Sequence, residues 1–174
     1  MKIKGIVSPG RSVAHDTLKK QIVFFKKRGL PYIDRLKTGT INLHLNFFEK
    51  YKILKYDFLY TNIQWHSDNF PGEDFGFIKV LKLLHNGKVT RNPGYLYFPL
   101  NNSNTRRRYV LEIWSVKVNN VQKGDMIQIE VNSQMLKTYK ILFNFRRFFR
   151  ILRNKKPHTC ETMSQLWNLM IFNQ

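Results

Sequence analysis

Thr40, Asn42 and His44 alternate with Ile41, Leu43 and Leu45 along Gly39-Thr40-Ile41-Asn42-Leu43-His44-Leu45. In a strand, that spacing sends a hydroxyl, a carboxamide and an imidazole to one face and three aliphatic side chains to the other. Hydroxyl and amide oxygens are hard, neutral donors that help hold Mg²⁺ where substrate phosphates bring the negative charge. The same alternation also describes any amphipathic strand with its polar face in water, so the stretch alone leaves both readings open. Other chemistries find less support. His15, His44, His66, His85 and His158 show neither a His-Glu-x-x-His pattern nor close ligand spacing. Ser8 and Ser12 lack a Gly-x-Ser-x-Gly elbow. Cys160, the single cysteine, has His158 nearby but no third partner, and it excludes both a disulfide framework and a cysteine-built zinc site.

The elements that must position these residues read mostly as strands. Lys2–Ser8, Gly39–Leu45, Gly76–Leu84, Tyr95–Leu100, Tyr109–Val118 and Asp125–Val131 are short and β-branched, aromatic or alternating. Asn86-Gly87 predicts a tight hairpin, because both residues tolerate the positive φ of a type I′ turn. Between the first two strands, Leu18, Ile22 and Phe25 fall at helical spacing, predicting a helix over Asp16–Arg28 with Asp16 as N-cap and Gly29 as its stop. Six or more strands with one early inserted helix predict a mainly β protein built on a small closed barrel rather than a doubly wound sheet. Met135, Tyr139, Leu142, Phe145, Phe149 and Leu152 step by three or four, predicting a second helix over residues 134–153; a further apolar run, Met163–Phe172, follows Pro157.

The 174 residues suit one domain with an appendage, and 43% hydrophobic with 14% aromatic residues supply a core, which excludes wholesale disorder. Thirty Lys and Arg against eleven Asp and Glu give a net charge of +19, a field that draws polyanions such as nucleic acid, anionic lipid and nucleotide phosphates. It is also the charge of a merely solubilising surface. Residues 1–131 hold 22 basic and ten acidic residues, whereas 132–174 hold eight basic residues and the one acid Glu161. A barrel over 1–131 and a basic, aromatic-rich helical extension over 132–174 are therefore expected. In the extension, Phe143, Phe145, Phe148 and Phe149 interleave with Arg146, Arg147, Arg150 and Arg153. That describes either a helix packing its phenylalanines on the barrel or a face for nucleic acid or an anionic membrane surface. No apolar run approaches the ~20 residues of a bilayer span, and Met1–Val7 reads as a strand rather than a signal peptide. A soluble, cytoplasmic protein is the expectation, and a lone cysteine suits a reducing compartment.

Gly39-Thr40-Ile41-Asn42-Leu43 resembles the Gly-Thr-Leu-Asn-Val/Leu motif of the archaeal-type CTP-dependent riboflavin kinases, and further elements follow in that family's order. Lys4-Gly5-Ile6-Val7-Ser8 resembles its opening Gly-x-Val-Val-Ser strand, and Phe24–Leu30 with Pro31-Tyr32 its helix end and the approach to the Gly-Thr. Tyr109–Ser115 with Glu112-Ile113 resembles its Val-Glu-Ile-Ile-Ala-Pro strand, and Val121–Ile129 its closing Leu-x-Asp-Gly-Asp-x-Val-x-Ile. The likeness covers roughly residues 3–131.

The resemblance implies a cradle-loop barrel that transfers the γ-phosphoryl group of CTP to the riboflavin 5′-hydroxyl with Mg²⁺, giving FMN and CDP. By position it makes Thr40 and Asn42 metal ligands and Glu112 the acid that orients the accepting hydroxyl. It places Asn104, or Thr105 after a one-residue shift, against the flavin, and Lys117, Val118, Asn119 and Asn120 against the nucleotide. The first nucleotide loop reads Ser8-Pro9-Gly10-Arg11-Ser12-Val13-Ala14 where the family has Ser-Gly-x-Gly-Glu-Gly, so one Gly stands where several would let backbone approach phosphate. In this loop Ser8, Gly10, Arg11 and Ser12 are the expected contacts, with Arg11 and Lys117 steadying the phosphates. Ser115-Val116 replaces the family's Ala-Pro. Glu112 also reads as an ordinary ion-pairing acid, close in sequence to Arg106-Arg107-Arg108, which are themselves either phosphate contacts or a solvated loop. The rival expectations on the same barrel are a nucleic-acid-binding protein using Arg106–Arg108 and the tail, and a catalytically inactive interaction module.

Overall fold

The computed structural model describes residues 1–9, 14–46, 49–66, 71–100, 109–118 and 120–140. They form β1 (Lys2–Ser8), α1 (Ala14–Lys27), a 3₁₀ turn (Ile33–Arg35), β2 (Thr40–Leu45), β3 (Glu49–Ile53), β4 (Phe58–Ile63), β5 (Glu73–His85), β6 (Lys88–Pro99), β7 (Val110–Ser115), β8 (Met126–Val131) and β9 (Leu136–Lys140). Strands pair in the order β4-β5-β6-β7-β2-β1-β8, and a β5–β8 pairing closes six of them into an antiparallel barrel. The expected mainly β barrel with one early helix is what the chain forms.

Closure depends on β5 serving two neighbours on one edge. Glu73–Phe77 pair with β4 and Val80–His85 with β8, and an irregularity between Val80 and Lys82 falls within the second pairing. The extra residue shifts side-chain parity, so Ile78 and Val80 point into the barrel before it and Leu83 after it. Opposite, β6 bends at Asn92 and Gly94, both at positive φ. A Cβ at Gly94 would run into the Trp114 carbonyl oxygen, so only glycine permits that approach. Asn86 and Gly87, at φ 47° and 74°, make the expected hairpin turn between β5 and β6.

Alternation along β5, β6 and β7 feeds two cores. Ile78, Val80, Leu96, Phe98, Leu111 and Ile113 fill the barrel with Ile3, Val7, Leu43, Ile127 and Ile129. Phe75, Phe77, Tyr95, Tyr97 and Trp114 face the other way and pack with Leu18 and Phe25 of α1, Leu30 and Ile33. Phe25 meets the rings of Phe75, Phe77 and Trp114 edge-on at centroid distances of 5.1, 5.0 and 5.9 Å. The polar tips in this dry cluster are matched. Tyr95 Oη donates to the Pro31 carbonyl at 2.7 Å, and Tyr97 Oη to Gln21 Oε1 at 2.8 Å. Burial, with the nearby Tyr60, Tyr32 and Asp57, pushes the Tyr95 hydroxyl up to about 12.

The helix starts at Ala14, so Asp16 lies inside its first turn, favourable there to the exposed N–H groups, rather than at the N-cap. Gly29, at φ 76°, stops it as expected. Gly29 N–H donates to the Lys26 carbonyl and Leu30 N–H to that of Phe25, the pairing of a Schellman end, with Leu30 and Phe25 both buried.

A correction falls on the stretch after Val131. The helix expected from residue 134 is, over Leu136–Lys140, a strand paired with β3 from Ile53↔Leu136 to Glu49↔Lys140. Asn132 turns the chain, its Oδ1 accepting the Gln134 N–H. Leu136 then joins Tyr51 in the barrel's interior cluster. The helical spacing of Met135, Tyr139 and Leu142 coincides with strand alternation of Leu136, Thr138 and Lys140, and the partner strand decides between them. The chain divides into Met1–Ile141 and Leu142–Gln174, so β9 extends the first unit past the boundary expected at 132. The remainder of the expected extension, with Arg146, Arg147, Arg150, Arg153 and the phenylalanines, lies outside the described residues.

Candidate functional site

Asn42 sits between two strands whose registers are fixed by the barrel. Its Cα partners are Ser8 on β1 and Glu112 on β7. Partners in an antiparallel ladder share a face, and their neighbours Val7, Leu43, Leu111 and Ile113 are buried in the barrel. Ser8, Asn42 and Glu112 therefore form one row on the outer face. Thr40 stands one step along, opposite Trp114, and His44 one step the other way, its ring 5.6 Å from that of Tyr109. The expected alternation of Thr40, Asn42 and His44 against buried Leu43 and Leu45 holds.

The row lies near one end of the barrel, and the segments around it are pinned there. Lys37 N–H donates to the Ser115 carbonyl at 2.9 Å, and Trp114 Nε1 donates back to the Lys37 carbonyl, which fixes the approach to Thr40. Gly124 N–H donates to the Val7 carbonyl at 2.9 Å, and Val7 N–H to that of Asp125 at 2.8 Å. The segment 116–125 is thereby tied to the end of β1, beside Ser8. Within it Val118 and Val121 pack against the barrel interior, Lys117 is exposed, and Asn120 takes a left-handed φ of 57°. Asp125 locks the segment's end: its Oδ2 accepts the Gln122 N–H at 2.8 Å and lies 2.8 Å from Nε2 of buried His85. The Gln122 N–H, then His85, hold the Asp125 carboxyl below its usual 3.8. This couple escaped the sequence reading, although Gly124-Asp125 before the last strand was its visible half.

One polar atom in the row is unmatched. Asn42 Nδ2 makes a long contact of 3.5 Å to the Pro9 carbonyl, and its Oδ1 is buried with no hydrogen-bond donor among the described residues. A shielded amide oxygen next to Ser8, Glu112 and Thr40 matches the hard-oxygen donor set a magnesium–phosphate complex would use. Thr40, Asn42 and Ser8 thus fit the metal and phosphate roles by donor chemistry. Among the described residues no three His, Cys, Asp or Glu side chains gather into a metal site.

Of the other expected contacts, Gly10, Arg11, Ser12, Asn104, Thr105, Asn119 and Arg106–Arg108 lie outside the described residues. Leu100 and Tyr109, which flank 101–108, are placed at the barrel's far end: Leu45, the last residue of β2, donates its N–H to the Tyr109 carbonyl. No helix among the described residues is long and apolar enough to cross a membrane. The chain matches no protein-family model and no curated protein.

Proposed function

We propose that the protein is a phosphotransferase that moves the γ-phosphoryl group of CTP to the 5′-hydroxyl of riboflavin or a flavin-like alcohol, giving FMN and CDP. One observation carries the reading: among the described residues Asn42 Oδ1 is buried without a donor, in a row with Ser8 and Glu112. Leaving such an acceptor unpaired costs about 1–3 kcal/mol, which a bound ion or ligand would recover. Mg²⁺, when bound, supplies neutralisation of the phosphate charge. Asn42 and Thr40 would hold that ion by their side-chain oxygens, and Ser8 with Lys117 would border the nucleotide. Glu112 accepts a hydrogen bond from the acceptor hydroxyl, aims its oxygen at the γ-phosphorus and takes its proton. The new O–P bond forms as the bond to the bridging oxygen breaks, and CDP leaves. Positioning and charge do most of the work in such transfers.

The test is chromatographic detection of FMN after incubating the full chain with Mg²⁺, CTP and riboflavin. Glu112→Gln keeps the shape and removes the charge, so turnover should fall about 10²–10⁴-fold while CTP affinity stays near the parent's. A Glu112→Gln protein that keeps its rate, or a parent that forms no FMN with any nucleoside triphosphate, overturns the assignment.

A further inference from the structure

The β3–β9 ribbon has one face in the barrel and one in water, and the outer face carries three lysines, a tyrosine and no acid. Tyr51, Thr138, Ile53 and Leu136 share the inner side. Cross-strand partners on the outer side are Lys50 with Tyr139 and Lys52 with Lys137. Lys52, Lys137 and Tyr139 are exposed, Tyr139 at 44%, and Lys50 is partly so. None of the three lysines has an ion-pair partner among the described residues, and the ribbon's one acid, Glu49, belongs to the other face opposite Lys140. Two like charges directly opposite on a ladder destabilise it. Here that arrangement sits on a short two-stranded element, where a compensating acid would be easy to place, and an anion laid across Lys52 and Lys137 would relieve it.

We propose that this outer face binds single-stranded nucleic acid, with Lys50, Lys52 and Lys137 on phosphates and Tyr139 stacked on a base. Lysines two residues apart on a strand are spaced about 6.7 Å, a separation that can serve neighbouring phosphates of one nucleic-acid strand. A basic track with an aromatic platform is the arrangement that holds single strands without reading their sequence. An anionic bilayer is the poorer occupant, because the paired outer positions carry no Leu, Phe or Trp to insert below the headgroups and only Leu54, just past the last pair, is exposed there among the described residues. The site is separate from the Ser8–Asn42–Glu112 row and does not depend on the phosphotransferase reading.

The experiment is fluorescence anisotropy of a labelled oligo-thymidine of about 16 nucleotides with the full chain across a salt series. Because +19 alone attracts any polyanion, the comparison is between two triple variants of equal charge loss. Lys50→Gln, Lys52→Gln and Lys137→Gln together should flatten the salt slope by about 2, at ~0.7 per phosphate contact. Lys19→Gln, Lys20→Gln and Lys27→Gln, all exposed on α1, should leave it near the parent's. Tyr139→Ala should weaken binding about fivefold or more at fixed salt without changing the slope. Equal losses in the two triples would reduce the interaction to net charge and overturn the proposal. So would binding to phosphatidylserine vesicles in the absence of oligonucleotide binding. Lys52→Gln alone should raise or preserve the melting temperature of the free protein, and a marked fall would show that the lysine pair serves the fold.

Discussion

Replacing Asn42 by Leu separates the stability of the row from its use. Leu branches at the same atom as Asn, so the change exchanges a planar carboxamide for a bulkier, apolar isopropyl group. The shielded Oδ1 has no donor among the described residues, and removing an unmatched acceptor of that kind returns about 1–3 kcal/mol. Against this stands the loss of the 3.5 Å contact from Nδ2 to the Pro9 carbonyl. That contact is at the limit of hydrogen-bonding distance, and Pro9 is exposed, so water can take the carbonyl. The cost is about 0.5 kcal/mol. A net gain of about 0.5–2.5 kcal/mol corresponds to a melting temperature higher by roughly 1–10 °C for a chain of this size. Thermal melts of parent and Asn42→Leu, each with and without Mg²⁺ and CTP, read both effects. The parent should gain stability from the ligands, and the variant should start higher and gain little. A variant that melts well below the parent in ligand-free buffer would mean that Oδ1 is already hydrogen-bonded, and the argument for a ligand there would fall.

Other perturbations test the scaffold. Phe25→Ala should cost about 3–5 kcal/mol in urea unfolding, since the ring is fully buried among Phe75, Phe77 and Trp114. Val23→Ala on the exposed side of the same helix should stay within about 0.5 kcal/mol, and equal costs would remove α1 from the second core. Gly94→Ala, at φ 145° and against the Trp114 carbonyl, should destabilise by more than about 1 kcal/mol, and a neutral result would contradict the close approach of β6 to β7. Asp125→Asn should lower stability at neutral pH. The native carboxyl is held below its usual 3.8, so its contribution is present above that value and is lost as pH falls through the lowered one. The gap between parent and variant should close in acid, and a gap that persists there would refute the Asp125 coupling.

Elements that carry their own signal were legible in the sequence. Asn86-Gly87 announces its turn, and Leu18, Ile22 and Phe25 their helix, because both patterns arise from neighbouring residues. β3 and β4 gave no such signal: Tyr51 is the one buried side chain of β3, and Leu59 in β4 is exposed. Their existence depends on partners far along the chain, and β9 was misread for the same reason. The outward alternation of Thr40 and Asn42 could be read from spacing. The alignment of Asn42 with Ser8 and Glu112 could not, because register comes from barrel closure, and neither could the shielding of Oδ1.

The two-sided wall sets how this chain can vary. Along Phe75–Ile78 of β5, Tyr95–Phe98 of β6 and Ile113–Trp114 of β7 both parities are buried, so a polar replacement at either one disturbs one core or the other. On β1, β2 and β8 only alternate positions are committed, and those between carry Lys2, Lys4, Ser8, Asn42, His44 and Gln128. Inheritance therefore divides across the molecule: one side keeps the architecture, while the other can exchange its chemistry a residue at a time and still fold. Ser8 and Asn42 stand on the side that is free to change, with Glu112 beside them on β7, so a new ligand specificity could arise there without a new fold.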